Sequence, residues 1–500
     1  MKSNINIKVQ SLIIGVMVVV VTGCSDFLEE VNPTDITLDA YFKNADHART
    51  AVNSIYPSLR SVRGGGYGGG AWLMTEMASG LADTELGQAE NSLIIRDLDN
   101  TGANGYSTSH WNSNYLGIQN ANLAIAKIPE IEMNENLKKQ LLGEAKFLRA
   151  HYYYQLVRHF GDVPLITGIV DLGSDELYPA RSSVADVYAQ IVQDLTDAED
   201  SGLPFNDASG RVTLGAIKTL LSSVYLTMAG YPLQMGASHY TLAAAKAKEV
   251  IDSNEYALFD SYDDLHDPRT NNSGEFIFQV QYQAGIAPSS WQPLILPLVG
   301  NISEISAETG AIFADQNFIA TYEAGDARVE EKGFYFREFT VSGNRETTIN
   351  LGAYRLWKHF DVEANLTTAS PGINWTLYRY AEVLLIHAEA LNETGTQDYA
   401  GINAIRVRAD LAPLSGLSQA EFREAVWKEK FHELSYEDKA WFDMVRLRKA
   451  YNLSTNEFDD FVGHQFIYGP TLTERELLFP IPQSELDENP SLGGQNTGYN

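Results

Sequence analysis

The chain has 500 residues, 44% of them hydrophobic and 20% charged, which is the balance of a globular protein with a sizeable core. Its net charge of −29 argues against nucleic acid and against adhesion to anionic lipid through the protein surface. It also disfavours a strongly anionic polymer as ligand unless a local basic cleft exists, and the single cysteine leaves no disulfide within the chain to support the core.

Met1 to Gln10 carries Lys2 and Lys8 and no acid, and Ser11 to Thr22 is almost wholly apolar. The apolar stretch is shorter than the roughly 20 residues that cross a bilayer, so the segment reads as a secretory signal. Val21-Thr22-Gly23-Cys24 resembles a bacterial lipoprotein signal, with cleavage before Cys24 and lipid on its sulfur. The expected organisation is a signal peptide over 1–23, a lipid-anchored tether over 24–37 marked by Asp26, Glu29, Glu30 and Pro33, and one globular domain over 38–500.

Helical spacing of Ala40, Phe42, Ala45, Ala48, Ala51 and Ile55 predicts a helix from Asp39 to Leu59, followed by a glycine-rich loop from Arg60 to Gly70. Trp111, Tyr115, Ile118 and Asn122 lie on one face of the next helix, and Gly143 to Phe160 is a strong helix. Gly215–Ala229 with Thr241–Ile251 forms a helix pair, and Leu377–Glu393 with Tyr399–Leu411 forms another. Both are alanine-rich inside with aromatics at the outer positions, as in tetratricopeptide-type units of about 34 residues. They stand far apart in sequence, so a simple array is not expected. Between Ser261 and Trp375 the helical period fades, and Glu275 to Tyr282 alternates like a strand. The predicted fold class is therefore mostly α: tetratricopeptide-like helical pairs as scaffold, and an irregular, loop-rich half with a few short strands. Segments 60–110 and 261–375 are the expected ligand-binding portion, because long ordered loops are usually functional.

Catalytic and metal motifs are missing. His432-Glu433-Leu434-Ser435-Tyr436 begins like a zinc-protease helix, but Tyr436 replaces the second histidine. Gly64 to Gly69 matches a dinucleotide fingerprint only because the run is so rich in glycine. Asp97 to Gly102 resembles the start of a calcium loop, but Thr108 stands where the twelfth-position glutamate belongs. The reading is no cofactor, no metal and no catalytic residue, although 65 acids leave a pair of glycosidase carboxylates open.

Several segments together resemble the SusD/RagB family of outer-membrane nutrient-binding lipoproteins. They are Cys24-Ser25-Asp26-Phe27-Leu28, Trp111 to Ile118 with Asn122, Glu144 to Tyr154 followed by Phe160-Gly161-Asp162-Val163-Pro164, Gly210-Arg211-Val212-Thr213, Arg379 to Ala390, and Phe479-Pro480-Ile481-Pro482 with Gln495 to Tyr499. Lys430 to Lys439 departs from the family's usual Arg–Glu–Leu helix and Glu–Gly–x–Arg, which puts local packing in doubt. Most of these motifs read as scaffold: Tyr152 to Tyr154 as core, Glu144 and Arg149 as fixed ion pairs or caps. The resemblance implies a cell-surface, lipid-anchored protein that captures a neutral oligo- or polysaccharide and passes it to a SusC-like TonB-dependent transporter. A peptide-binding member of the family is the alternative, and a glycoside hydrolase the next. A flat aromatic face stacks on the apolar face of a sugar, while amides and guanidiniums satisfy its hydroxyls. On that chemistry the candidate platforms are Trp291 and Trp72, then Tyr67 and Tyr282, with Gln281, Gln292 and Arg63 as polar partners.

Overall fold

Two long helices begin the scaffold. Helix α1 (Gly105–Lys127) starts where Asn104 accepts the Tyr106 N–H, and α2 (Glu135–Phe160) where Asn134 accepts the Leu137 N–H. They approach closely because Gly117 of α1 faces Tyr152 of α2, where a Cβ would stand 2.3 Å from the tyrosine ring. Gly117→Ala should therefore cost about 1–3 kcal/mol by overpacking, read as a lowered thermal midpoint. An unchanged midpoint would mean that the two helices are free to move apart.

Helices α3 (Val184–Glu199), α4 (Leu214–Ala229), α5 (Ala237–Ser253), α6 (Tyr380–Glu393), α7 (Ala400–Arg408), α8 (Gln419–Glu433) and α9 (Ala440–Leu447) follow. Their starts are again fixed locally: Thr213 caps α4, and Ser418 with Glu421 makes a reciprocal capping box on α8. Each of α1 to α5 packs on the next, α5 packs on α6, and α6 on α7 and α8. The two helical pairs that stand apart in sequence are thus joined through α5 and α6 into one array. Residues 254–379 interrupt that array in the chain but not in space.

The ion pairs expected on α2 are present. Arg149 grips Asp194 of α3 with two bonds of 2.8 and 2.6 Å, and Glu144 pairs with Arg211 at 2.8 Å. Tyr152, Tyr153 and Tyr154 are buried. The helices expected from Trp111 and Gly143 begin earlier, at Gly105 and Glu135, and two other predicted helices differ more. The first divides into Ala45–Asn53 and Pro57–Arg63, because the chain turns at Ser54–Tyr56 and Pro57 suits the first position of a new helix. The later one begins only at Tyr380. Its predicted first residues belong to the strand Trp375–Arg379, which pairs antiparallel with Phe276–Val280, the strand expected from alternation.

The structure is a computed structural model that describes residues 41–63, 71–85, 90–170, 177–289, 291–298, 302, 308–341, 347–362 and 371–499. The expected signal peptide, tether and Cys24 lie outside them. The described residues from Asn44 onward belong to one compact unit, and among the described residues no helix is long and apolar enough to cross a membrane. Among the described residues the strands form four two-stranded antiparallel sheets. Besides the pair above, Tyr335–Val341 pairs with Thr347–Leu356, Ala82–Asp83 with Phe313–Ala314, and Lys449–Asn452 with Glu457–Asp460.

A buried ion network joins the helical array to the irregular half. Arg379, at the end of its strand, binds Glu275 at 2.7 Å, Glu433 at 2.7 Å and Glu437 at 2.8 Å. Arg408 reaches Glu433 at 2.6 Å, and Arg328 reaches Asp326 and Glu429 at 2.7 and 2.6 Å. Burial alone would raise Glu433, but Arg408, Arg379 and Arg328 outweigh it and hold the carboxyl down to about 2. The segment that departs from the family pattern lies at this centre. Asp438 adopts φ +63°, a left-handed conformation that asparagine and aspartate tolerate better than other side chains. Lys439 Nζ donates to Leu377 O at 2.9 Å and pairs with Glu382.

Candidate functional site

The ion network leads directly into an aromatic cluster. Lys358 Nζ donates to the carbonyls of Glu433 and Ser435, both at 2.9 Å, and pairs with Glu437 at 2.6 Å. The next residue, His359, stacks on Trp375 with ring centroids 4.3 Å apart. Burial pushes His359 down to about 4, so the ring is neutral, and its Nε2–H donates to Tyr436 O at 2.9 Å. Trp375 also meets Trp72 at 5.1 Å and Trp291 at 5.3 Å, and Tyr282 stands edge-on to Trp291 at 4.8 Å.

Three of the four aromatic residues singled out from the sequence therefore come together, but as a floor and not as exposed platforms. Trp291 is fully buried. Its ring lies against Tyr282 and Trp375, and its indole N–H donates to His359 O at 3.1 Å. Trp72 is fully buried on the helix Ala71–Ala78, and Tyr282 is buried with its backbone N–H on Asn374 Oδ1 at 2.8 Å. Gln292 is buried and makes a double bridge to the backbone of Asp361, both bonds 3.0 Å. Gln281 uses its whole amide on Asn272, Asn374 and Gln279 O. Trp291, Gln292 and Gln281 spend their polar side-chain groups on bonds within the protein, and Trp72 and Tyr282 are held by ring packing. Tyr67 and the side chain of Arg63 lie outside the described residues. Trp357 is buried and stacks on Phe360 at 5.2 Å.

Above the floor lies a rim of irregular chain. Gln283 and Ala287 bridge to close a tight turn that leaves Ile286 76% exposed. Ser289 N–H donates to Pro371 O at 3.0 Å, and Gly372 N–H to Asp361 Oδ2 at 3.1 Å, so the turn is tied to the segment bearing Val362, which is 40% exposed. Sequence reading missed Ile286 and Val362; an isoleucine between glycine and alanine in a polar loop was the available signal. Among the described residues no group of three His, Cys, Asp or Glu side chains is placed to hold a metal. This arrangement offers a rigid apolar base and a shaped, partly apolar rim, which suits binding by surface contact.

A family model described as the SusD family matches residues 221–499, more than half of the chain. The chain belongs to the SusD family. A second model, described as starch-binding associating with outer membrane, matches residues 26–226. SusD-like protein P2 of Formosa agariphila is 28% identical over 534 residues, covering 97% of this chain and 98% of that protein. A solved SusD superfamily protein from Parabacteroides distasonis is 39% identical with a TM-score of 0.87, over 91% of this chain and 99% of the other. A structure titled laminarin binding SusD-like protein is 25% identical with a TM-score of 0.73, over 91% of this chain and all of that one. The tetratricopeptide-like array with an irregular half is thus the SusD fold.

Proposed function

We propose that this SusD-family chain is a cell-surface lipoprotein that captures a neutral oligo- or polysaccharide, without cleaving it, and hands it to a SusC-like TonB-dependent transporter. The observation that carries this reading is the likeness along nine-tenths of the chain to a laminarin-binding SusD-like protein. The geometry agrees with it. The ion network and the aromatic floor spend buried side chains on holding one irregular rim in place, and such preorganisation lowers the ordering cost of binding. The rim around Ile286 and Val362 is the proposed sugar surface, with Tyr67 of the glycine-rich run and Arg63, the last residue of the helix before it, as the remaining candidates for stacking and hydrogen bonding.

Electrophoresis through gels containing single polysaccharides, with chromatography of the products after long incubation, tests the proposal. Retardation by at least one neutral glycan is expected, with its chain length unchanged. Shorter oligosaccharides appearing at a rate set by protein concentration would make the chain a hydrolase. Binding of peptides and of no glycan would move the ligand to peptide.

Cys24→Ala should release the protein from the outer membrane while leaving its thermal unfolding unchanged. One acyl chain binds only marginally, with K about 10⁴ M⁻¹, so a fully acylated Cys24 is what makes the anchor stable. Fractionation of cells lacking the transporter decides it, and a Cys24→Ala protein that still pellets with the outer membrane would refute the lipid anchor.

A further inference from the structure

We propose that a groove between α2, α9 and the C-terminal segment is a second ligand site, one that takes a small polar molecule bearing a carboxylate or sulfate. The groove has a volume of about 480 Å³ and shares no lining residue with the aromatic floor. That volume lies within the range of about 300–1,000 Å³ common to small-molecule sites.

The charge of its lining is the informative property. The chain is strongly acidic, and its buried arginines are paired: Arg149, Arg328, Arg379, Arg408 and Arg446 each hold carboxylates. Arg158, Arg181 and Arg448, all half-buried, line the groove, and among the described residues none of the three has a carboxylate within ion-pair distance. They are held by other means. Arg158 donates Nε to Tyr154 O at 3.1 Å and lies over the rings of Tyr154 and Phe442 at 3.9 and 3.7 Å. Arg181 donates to Asn496 Oδ1 at 3.1 Å and Gly494 O at 3.0 Å. Arg448 donates to Val445 O at 2.9 Å and covers the Tyr231 ring at 4.7 Å. A guanidinium carries five N–H groups, so these contacts fix each fork and leave donors over.

Two acids line the same groove, and neither neutralises it. Asp162 is exposed and accepts the Val184 N–H at 2.8 Å, and Glu474 is exposed and makes no ion pair with Arg448. Burial holds the Arg448 guanidinium below its ordinary value, as expected of a cation drawn out of water with too little negative charge nearby. Three oriented forks in one concavity suit bidentate recognition of a carboxylate or sulfate, and the aromatic and aliphatic walls suit the body of a small ring. The local basic cleft that would reconcile an acidic protein with an anionic ligand is present here.

Calorimetry on the purified protein tests this with sodium glucuronate, inorganic sulfate and glucose at matched ionic strength. Glucuronate or sulfate should bind saturably and glucose should not. Arg448→Gln and Arg181→Gln should each weaken that binding about ten- to hundredfold, the range for one lost hydrogen bond to a charged group. If one variant fails to fold, the other carries the reading. A neutral glycan found in the gel screen should not compete with glucuronate, so failure of the neutral-glycan reading leaves this site standing, and the reverse. The inference is overturned if neither anion binds more tightly than about 10 mM, if glucose binds as well as glucuronate, or if a folded variant keeps full affinity.

Discussion

Arg379→Met should lose about 3–5 kcal/mol of folding stability, the range for removing one partner of a buried ion pair. Arg379 is buried and serves Glu275, Glu433 and Glu437 at once, and it also donates to Glu433 O at 2.6 Å. Without it, carboxylates remain in a site from which water is excluded. Arg408 and Lys358 still attend Glu433 and Glu437, so part of the compensation survives. Adding Glu437→Gln to Arg379→Met should recover part of the loss, because it removes one stranded charge. Urea unfolding measures both, and an Arg379→Met protein as stable as the parent would mean that the network is not where the two halves are joined.

The same network sets a pH dependence whose sign follows from the direction of its shifts. Glu433 falls to about 2 in the fold, since Arg408, Arg379 and Arg328 override the opposite effect of burial. Burial also opposes the shift at Glu389, where Arg446 and Lys430 prevail and the carboxyl again sits at about 2. A depressed carboxyl stabilises fully above its ordinary value, near 4.5 here, and that stability is lost as pH falls toward about 2. Glu76 acts at the other end. Burial pushes it up to about 8, so its neutral form is favoured by folding, and raising the pH from about 4.5 through 8 removes that contribution. The urea midpoint should therefore drop steeply on acidification from pH 4.5 to 2. In Arg379→Met the acid limb should be shallower. Identical slopes in the two proteins would exclude Arg379 as a source of the Glu433 shift.

The scaffold was largely legible in the sequence because its signals are local. Apolar and alanine-rich faces repeat at helical spacing in α1, α2 and the two helical pairs, whereas α3, α8 and α9 were not read. The joining of the two helical pairs through α5 and α6 was not legible, since it depends on a contact across residues 254–379. The same limit governed the site. Trp72, Trp291 and Tyr282 were found by residue type in loop-rich segments, and they do converge. Trp72 meets His359 and Trp291 meets Trp375, partners distant in sequence, and no periodicity reports such contacts. Gln281 and Gln292 are likewise engaged by residues distant in sequence: Asn272 and Asn374 bond the amide of Gln281, and Asp361 that of Gln292. The polar departure at Lys430–Lys439 looked like a local packing matter, yet Glu433, Tyr436 and Glu437 tie the ion network to the floor.

Trp291→Ala should destabilise the fold by about 3–5 kcal/mol, as removal of a core tryptophan does. The indole fills space between Tyr282 and Trp375, and it supplies the one donor that meets His359 O among the described residues. A cavity here would loosen His359, whose imidazole also holds Tyr436 O, so the effect should spread into the 433–438 segment. Loss of glycan affinity in this variant would be ambiguous, because a slackened floor releases the rim above it. Trp291→Phe separates the two roles. It keeps an aromatic edge against Trp375 and removes the bond to His359 O, for an expected cost of about 1–2 kcal/mol. If the tryptophan is floor, glycan affinity in Trp291→Phe stays within about threefold of the parent while the thermal midpoint falls; one stacking platform, by contrast, is worth about 1–3 kcal/mol of binding. Calorimetry against a retained glycan and thermal melting of the same sample give both numbers. An unchanged midpoint with a tenfold weaker affinity would return Trp291 to the binding surface and require the loops over it to open when sugar arrives.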